Sequence, residues 1–498
     1  MSESAEQSVL RRPQHLEPGR LFINGGWHDA DSKAHREIID PSTGKMVTSV
    51  AEADASDLDA AVDAARHAFD EGPWAQVSGR ERARILHRAA DLIRQRADEL
   101  VALESVDVGK PVSLCRAVDV STAAEEYEYY SAMAQSIDGA TRQIPVPAHA
   151  YTRREPLGVV GAITPFNFPL ILSSSKIAPA LAVGNTVVHK PAEETPLSAL
   201  LMAEILAEAG VPDGVLNVVT GSGAVVGEAL LRHPMVDKIA FTGSTAVGRH
   251  AASTAGEALK PVTMELGGNA AQIIFEDADL ETAIGSAIRG FVFNSGQFCM
   301  SGPRLLVHRS LHDAVVEALA GAVAHVPVGD PFDPVTVVGP MAAERHLAKV
   351  EQYVGFAQEE GGRIVAGGEQ LELGGELSGG FYYKPTIIAD LGNDSRIVQE
   401  EIFGPLLTVQ PFDTEEEAVA LANSTPYGLA SGLQTKDLAR AHRVAARLRA
   451  GIIWVNDWAI LDPAIPFGGV KQSGYGREYG PEALESYTKI KSVVISLA

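Results

Sequence analysis

Between about residues 55 and 103, apolar positions recur every three to four residues. Leu58, Ala61, Val62, Ala65 and Phe69 share one face, with a capping-box pattern at Ser56 and Asp59 and a stop at Gly72-Pro73, so this run predicts an amphipathic helix. A second helical run covers about 80–103, with Ile85, Leu86, Leu92, Ile93 and Leu100 on its apolar face. From 158 the period shortens. Short β-rich runs at 159–164, 186–189, 215–220, 238–242 and 261–265 alternate with helical ones, which predicts parallel strands under covering helices, a doubly wound α/β domain. After 270 the alternation restarts, with β runs at 271–274 and about 305–308 and helical runs from Leu280 and Leu311. This predicts a second α/β domain reaching about 455.

Three stretches break the rhythm. Residues 157–175 carry no charge, yet Pro165, Asn167, Pro169 and three serines interrupt them, so a buried strand followed by a loop is expected rather than a membrane span. Residues 361–380 are glycine-rich and are expected to form a surface loop. The β-branched tail, 487–498, would leave an exposed edge that pairing with another subunit would cover.

Composition narrows the function classes. The 498 residues predict about two to four domains at roughly 100–200 residues each. Lys plus Arg (41) against Asp plus Glu (64) leaves a net charge of -23, which argues against nucleic-acid or anionic-membrane partners. Two cysteines, Cys115 and Cys299, allow at most one disulfide, so a reducing, cytoplasmic setting is expected. The first twenty residues carry Glu3, Glu6, Arg11, Arg12 and Glu17 without an apolar core, so no secretory signal is expected.

Three segments have the features of an anion or nucleotide site. Gly221-Ser-Gly223-Ala-Val-Val-Gly227 follows a predicted strand and opens a helix, but its third glycine is one residue late for a dinucleotide fingerprint, and a plain strand-to-helix turn fits it equally. Gly243-Ser-Thr-Ala-Val-Gly248 follows the next strand and offers the same free backbone N–H groups. Lys190-Pro-Ala-Glu193 lies just past a strand end. There Glu193 and Lys190 can hold ribose hydroxyls, or form a solvated surface pair.

Three more segments carry chemistry. Asn294-Ser-Gly296-Gln-Phe-Cys299 sets a thiol after a glycine turn, where a backbone N–H can face the side of the sulfur. Cys115 lacks such a setting and is expected to be structural. Glu265 ends an apolar strand before Leu266-Gly267-Gly268, as a base or as a solvated strand end. Pro165-Phe-Asn167-Phe-Pro169 holds an amide that either satisfies a turn or donates to an oxyanion.

Together these segments, PFNFP, ELGG and NSGQFC, resemble the aldehyde dehydrogenase superfamily in order and separation. KPAE at Lys190, FTGSTAVG at Phe241, EEIFGP at Glu400, PFGGVKQSGYGRE at Pro466 and YTKIKSV at Tyr487 extend the resemblance over nearly the whole chain. The resemblance implies an α/β fold of two doubly wound parallel-sheet domains, Rossmann-like NAD-binding and catalytic, plus a small β oligomerisation element. The corresponding segments are 1–137 with 160–270, 271–477, and 138–159 with 478–498. It also implies a homodimer or homotetramer acting on a small-molecule aldehyde.

By the same resemblance Cys299 is the nucleophile, the Asn167 amide and the Cys299 N–H hold the oxyanion, and Glu265 activates water. Lys176 and Glu478 are polar helpers. NAD contacts fall to Thr164, Pro165, Lys190, Glu193, Gly243, Ser244, Glu401 and Phe403, which favours the 243 loop over the 221 loop; NADP is possible but less favoured, and no metal is expected. Phe166, Phe168, Leu172, Phe298, Met300 and Trp458 are candidate walls of an apolar tunnel, while Asp457 and Asp462 leave room for a cationic amino aldehyde. Three residues depart from common members. Asn269 replaces a lysine, Phe166 replaces a tryptophan, and Ser175 stands where many members carry a bulky tryptophan. Glu265 counts against a coenzyme A-acylating semialdehyde dehydrogenase, and retention of Cys299, Glu265 and Asn167 counts against a non-catalytic protein on the same fold.

Overall fold

A computed structural model describes residues 10–497; Glu3, Glu6 and the last residue of the tail, Ala498, lie outside the described residues. Two large sheets organise the chain. The eight-stranded sheet runs Gly474–Tyr475, Val262–Glu265, Lys238–Thr242, Val159–Ile163, Thr186–Lys190, Leu216–Val218, Leu21–Ile23, Gly26–His28. Its five central strands are parallel and its edges antiparallel. The strand Gly474–Tyr475 joins this sheet although the sequence around it was expected in the other half. The seven-stranded sheet runs Arg363–Ala366, Thr386–Ala389, Leu406–Phe412, Arg304–His308, Ala271–Ile274, Ala430–Gln434, Ile452–Val455, parallel except at its first strand. A three-stranded antiparallel sheet pairs Thr488–Ser496 with Ala148–Pro156 and Thr141–Arg142, and its outer strand exposes Ile490, Val494 and Ile495. Among the described residues no helix is long and apolar enough to cross a membrane.

The β runs expected from sequence end within two residues of the observed strands, but four local expectations are corrected. The first helix, Ala55–Asp70, is capped by Asp54 instead of Ser56: its carboxylate accepts from the N–H of Ser56 (2.8 Å) and Asp57 (3.3 Å), and Asp57 returns to the Asp54 N–H (3.0 Å). An acid two residues earlier closes the box first. The run 80–103 is two helices, Gly79–Gln95 and Ala97–Val108, parted at Arg96, whose φ and ψ of -97° and 24° leave the helix. Within 361–380 the strand Arg363–Ala366 pairs with Thr386–Ala389.

The fourth correction bears on the site. The loop expected to run to 175 stops at Phe168, and Pro169–Ala182 is a helix buried almost all round. Its serines do not break it because each hydroxyl turns back on the helix: Ser173 to the Pro169 carbonyl (2.7 Å), Ser174 to Leu170 (2.8 Å), Ser175 to Leu172 (3.2 Å). No side chain caps the helix from its own start; instead Glu104, from Ala97–Val108, accepts the Leu170 N–H (3.1 Å) and the Ser198 hydroxyl (2.6 Å). Asp107 likewise takes the N–H of Leu197 (2.8 Å), at the start of Leu197–Ala209.

Of these two fully buried acids, Glu104 is held by a buried base that also holds Asp119. The Lys110 ammonium bonds both Glu104 and Asp119, and it lies 4.5 Å from the centre of the Phe168 ring. Lys110→Met should therefore strip two buried carboxylates of their counter-charge and lower the folding free energy by roughly 3–5 kcal/mol. The urea midpoint checks this; a wild-type midpoint would mean that the three groups fold as a neutral cluster.

Candidate active site

The first sheet reverses its winding beside Val159–Ile163. The next strands in sequence extend one way, through Thr186–Lys190, and the chain then returns to Lys238–Thr242 on the other side. Such a reversal parts the loops at the carboxyl ends of two strands, where open α/β sheets bind ligands. The parted loops are 164–168 and the turn at Gly243-Ser244. A cavity of about 410 Å³ opens there, lined by Pro165, Asn167, Gly243, Ser244, Glu401 and Phe403. A second, of about 310 Å³, approaches from the opposite side past Phe168, Phe298, Met300 and Glu478. Cys299 and Leu172 belong to both linings, so the thiol stands where the two spaces meet.

The turn before Cys299 is left-handed for three residues, with φ of 48° at Asn294, 55° at Ser295 and 71° at Gly296. Such a conformation strains non-glycine residues and persists only when neighbours hold it. Here they do. The Asn294 amide donates to the carbonyls of Asn167 (3.0 Å) and Gln297 (3.2 Å), the Ser295 hydroxyl to Gly339 (2.8 Å), and the Ala342 N–H to the Gln297 side chain (2.9 Å). The Asn167 amide nitrogen donates one hydrogen to the Gln297 carbonyl (2.9 Å), which leaves its second hydrogen for another acceptor. Asn167 and the thiol turn thus form one hydrogen-bonded unit.

Burial, with the Glu401 and Glu265 carboxylates nearby, pushes the Cys299 thiol up to about 12 against the opposing pull of the Cys299 and Met300 N–H groups. Glu265 lines neither cavity. It ends its strand fully buried, and although the Gly469 N–H faces it, neither carboxyl oxygen closes a hydrogen bond of normal geometry. Desolvation and the neighbouring Glu478 raise its proton affinity well above that of an ordinary glutamate. Lys176 bonds Glu478 and the Thr242 hydroxyl (2.6 Å), and Ser175 also donates to Glu478 (3.1 Å). Ser175 is buried, lines neither cavity, and turns its hydroxyl to the acid behind it.

Similarity to known proteins agrees with this geometry. Residues 27–493 match the aldehyde dehydrogenase family. An aldehyde dehydrogenase of Bacillus cereus, solved as its NAD+ complex, is 42% identical over 100% of this chain and 99% of its own, with a TM-score of 0.94. PnpE of Pseudomonas sp. WBC-3 is 42% identical over 96% and 98%, and P. syringae AldA, an indole-3-acetaldehyde dehydrogenase solved with NAD+ and IAA, 42% over 96% and 97%, both with TM-scores of 0.94. The chain belongs to the aldehyde dehydrogenase family. It oxidises aldehydes with NAD.

The larger cavity of this aldehyde dehydrogenase lies beside a helix start. At Gly243 a Cβ would stand 2.7 Å from the Phe241 ring, so the floor stays open, and the helix Thr245–Glu257 begins beside it under a Ser244 cap. Glu401 is fixed at the other end by the Gly268 N–H (2.8 Å), with Lys349 on its carbonyl (2.9 Å), and burial lifts its carboxyl to about 7. Thr164, Lys190 and Glu193 lie outside this lining, beyond the strand ends. The Lys190 ammonium meets the Pro191 carbonyl (2.7 Å) and is lowered to about 8 by burial. Glu193 is ion-paired to Arg36 (3.1 Å), which also grips Glu52 with two bonds of 2.7 Å.

Some expected residues stand apart, and others were missed. Trp458 does not line the second cavity; its ring packs 4.9 Å from that of Trp454. Phe166 lies in the larger cavity, edge-on to His346 at 4.2 Å, and Asn269 ties the ELGG turn to the carbonyls of Val398 (2.8 Å) and Glu400 (3.3 Å). Arg345, His346 and Lys349 line the larger cavity without a motif to announce them. Their one sequence sign is that they fall off the buried face, Leu347, Val350 and Val354, of the helix Glu344–Glu359. Burial holds His346 neutral, lowered to about 3.

With its thiol so raised, the free dehydrogenase should be alkylated slowly at neutral pH. The iodoacetamide rate constant should climb about tenfold per pH unit from about pH 7 to 9, in proportion to the thiolate. A plateau below about pH 9 would show a thiolate already formed.

Proposed function

We propose that Cys299, Asn167 and Glu265 carry the oxidation of an aldehyde to a carboxylic acid through a hydrolysed thioester. The observation behind this is the meeting of two cavities at Cys299, on a turn hydrogen-bonded to Asn167. The sulfur, once deprotonated, bonds the carbonyl carbon, and the carbonyl electron pair moves to oxygen. The free Asn167 N–H and the Cys299 backbone N–H stabilise that oxyanion. NAD would be held by Pro165, Gly243, Ser244, Glu401 and Phe403 of the larger cavity and by Thr164, Lys190 and Glu193 outside its lining, and would supply the acceptor for the hydride. Glu265 then takes a proton from water as the water adds to the thioester, and the thiol leaves. Burial makes Glu265 the stronger base for it. Lys176 and Glu478 hold the acidic floor, and Phe168, Leu172, Phe298 and Met300 contact substrate.

The division we assign is a cofactor-binding part, 1–137 and 160–270, a catalytic part, 271–477, and a bridging part, 138–159 and 478–498, with the short strand Gly474–Tyr475 of the catalytic part crossing to the first sheet. The exposed apolar edge strand Thr488–Ser496 supports a homodimer or homotetramer formed there. Two free cysteines support a cytoplasmic setting.

Glu265→Gln separates the half-reactions. Rapid mixing with NAD and an aldehyde should yield at most one NADH per site and then a slow rate, with acyl-enzyme in the intact mass. Undiminished steady turnover would remove Glu265 as the base.

The Glu193 carboxylate should accept the ribose hydroxyls and disfavour a 2'-phosphate, while the paired Arg36 softens that repulsion. NAD should thus exceed NADP in kcat/KM without excluding it. Equal or better efficiency with NADP in steady-state kinetics would refute the preference.

A further inference from the structure

The cavity of about 310 Å³ is where the body of an aldehyde would lie once its carbonyl reaches Cys299. Its inner end is a cluster of three rings. Phe168 and Phe293 stack at 6.0 Å, and Phe298 packs 5.8 Å and 5.0 Å from them. Val118, Ile171 and Leu461 continue the apolar wall outward.

Charge is distributed one way. The charged side chains of the lining are Glu125 and Glu478, both acidic. Glu125 is exposed and accepts from Ser121 (3.1 Å), and Glu478 already has Lys176 and Ser175. The cations behind the wall are committed elsewhere: Lys110 to Glu104 and Asp119, Lys176 to Glu478. The two aspartates that left room for a cationic aldehyde are turned away. Asp457 pairs with Arg289, Asp462 accepts the Ala464 N–H (2.8 Å), and neither lines the cavity.

We propose that this dehydrogenase selects aldehydes with a neutral, apolar body, aromatic ones foremost, and excludes aldehydes that carry a second, anionic group. The proposal rests on the reading of Cys299 as nucleophile. A carboxylate entering this space would shed its hydration, find the Ser121 and Thr122 hydroxyls but no cation in exchange, and face two acids. A planar ring would replace water against three phenylalanine faces and edges.

Two neutral-versus-charged comparisons test it on the full-length enzyme with NAD, read as NADH formation. Methyl 4-formylbenzoate and 4-formylbenzoate present the same ring and differ in charge, and the ester is the larger, so steric exclusion would act against the expected order. The ester should exceed the carboxylate in kcat/KM by at least ~30-fold, about 2 kcal/mol. Phenylacetaldehyde should exceed protonated 4-aminobutanal by at least the same ratio. A smaller ratio in either comparison overturns the proposal. Absence of NADH with every aldehyde, acetaldehyde included, would instead overturn the reading of Cys299 on which it rests.

Discussion

The start of the helix Pro169–Ala182 is the point from which the site is built. Asn167 and Phe168 directly precede it, and Leu172, Ser175 and Lys176 lie along it. The Leu170 N–H in its first turn is satisfied by Glu104, a carboxylate 66 residues away in sequence, and Glu104 is itself bonded by Lys110. Lys110 in turn rests over the ring of Phe168. Asn167, the Phe168 wall of the second cavity and the Lys176–Glu478 pair are therefore referred to one buried ion cluster.

Dryness then decides the protonation of the reacting groups. Burial is the largest influence on Cys299, Glu265 and Glu401, and it acts on all three by favouring the uncharged form. A neutral thiol is protected from stray electrophiles, and a carboxyl held neutral must give up its own proton before it can accept one from water. The pairing of Glu478 with Lys176 and Ser175 gives that buried acid its partners beside them.

What could be read from sequence was local or carried by the resemblance. The short β-rich runs marked the strands because each stands in a parallel sheet covered by helices, and Asn294-Ser-Gly296 announced a turn before the thiol through its glycine. The unread parts depend on distant partners. Three serines in a row suggested a loop until their hydroxyls found their own helix carbonyls and Glu104 took the orphan N–H. Glu265 could be expected at a strand end, but not that it lines neither cavity, because the segment facing it, Gly468–Gly469, is some two hundred residues on. Arg345, His346 and Lys349 were silent because a helix pattern reveals its buried face and says nothing of what its polar face overlooks.

The glycines after Glu265 show how closely the halves of the chain are fitted. A Cβ on Gly267 would stand 2.2 Å from the Glu401 carboxylate, and one on Gly268 would stand 2.2 Å from the carbonyl of Cys299. Neither glycine is in the left-handed region, so it is space and not backbone freedom that requires them. On the other side, Gly296 needs both: its φ is positive, and a Cβ would meet the Gly404 carbonyl at 2.0 Å. Backbone of the second sheet thus touches backbone of the first around the thiol. A methyl group at Gly267 or Gly268 would push Glu401 or Cys299 outward while leaving both side chains present, so the Leu266-Gly267-Gly268 step sets the distances between Glu265, Glu401 and Cys299.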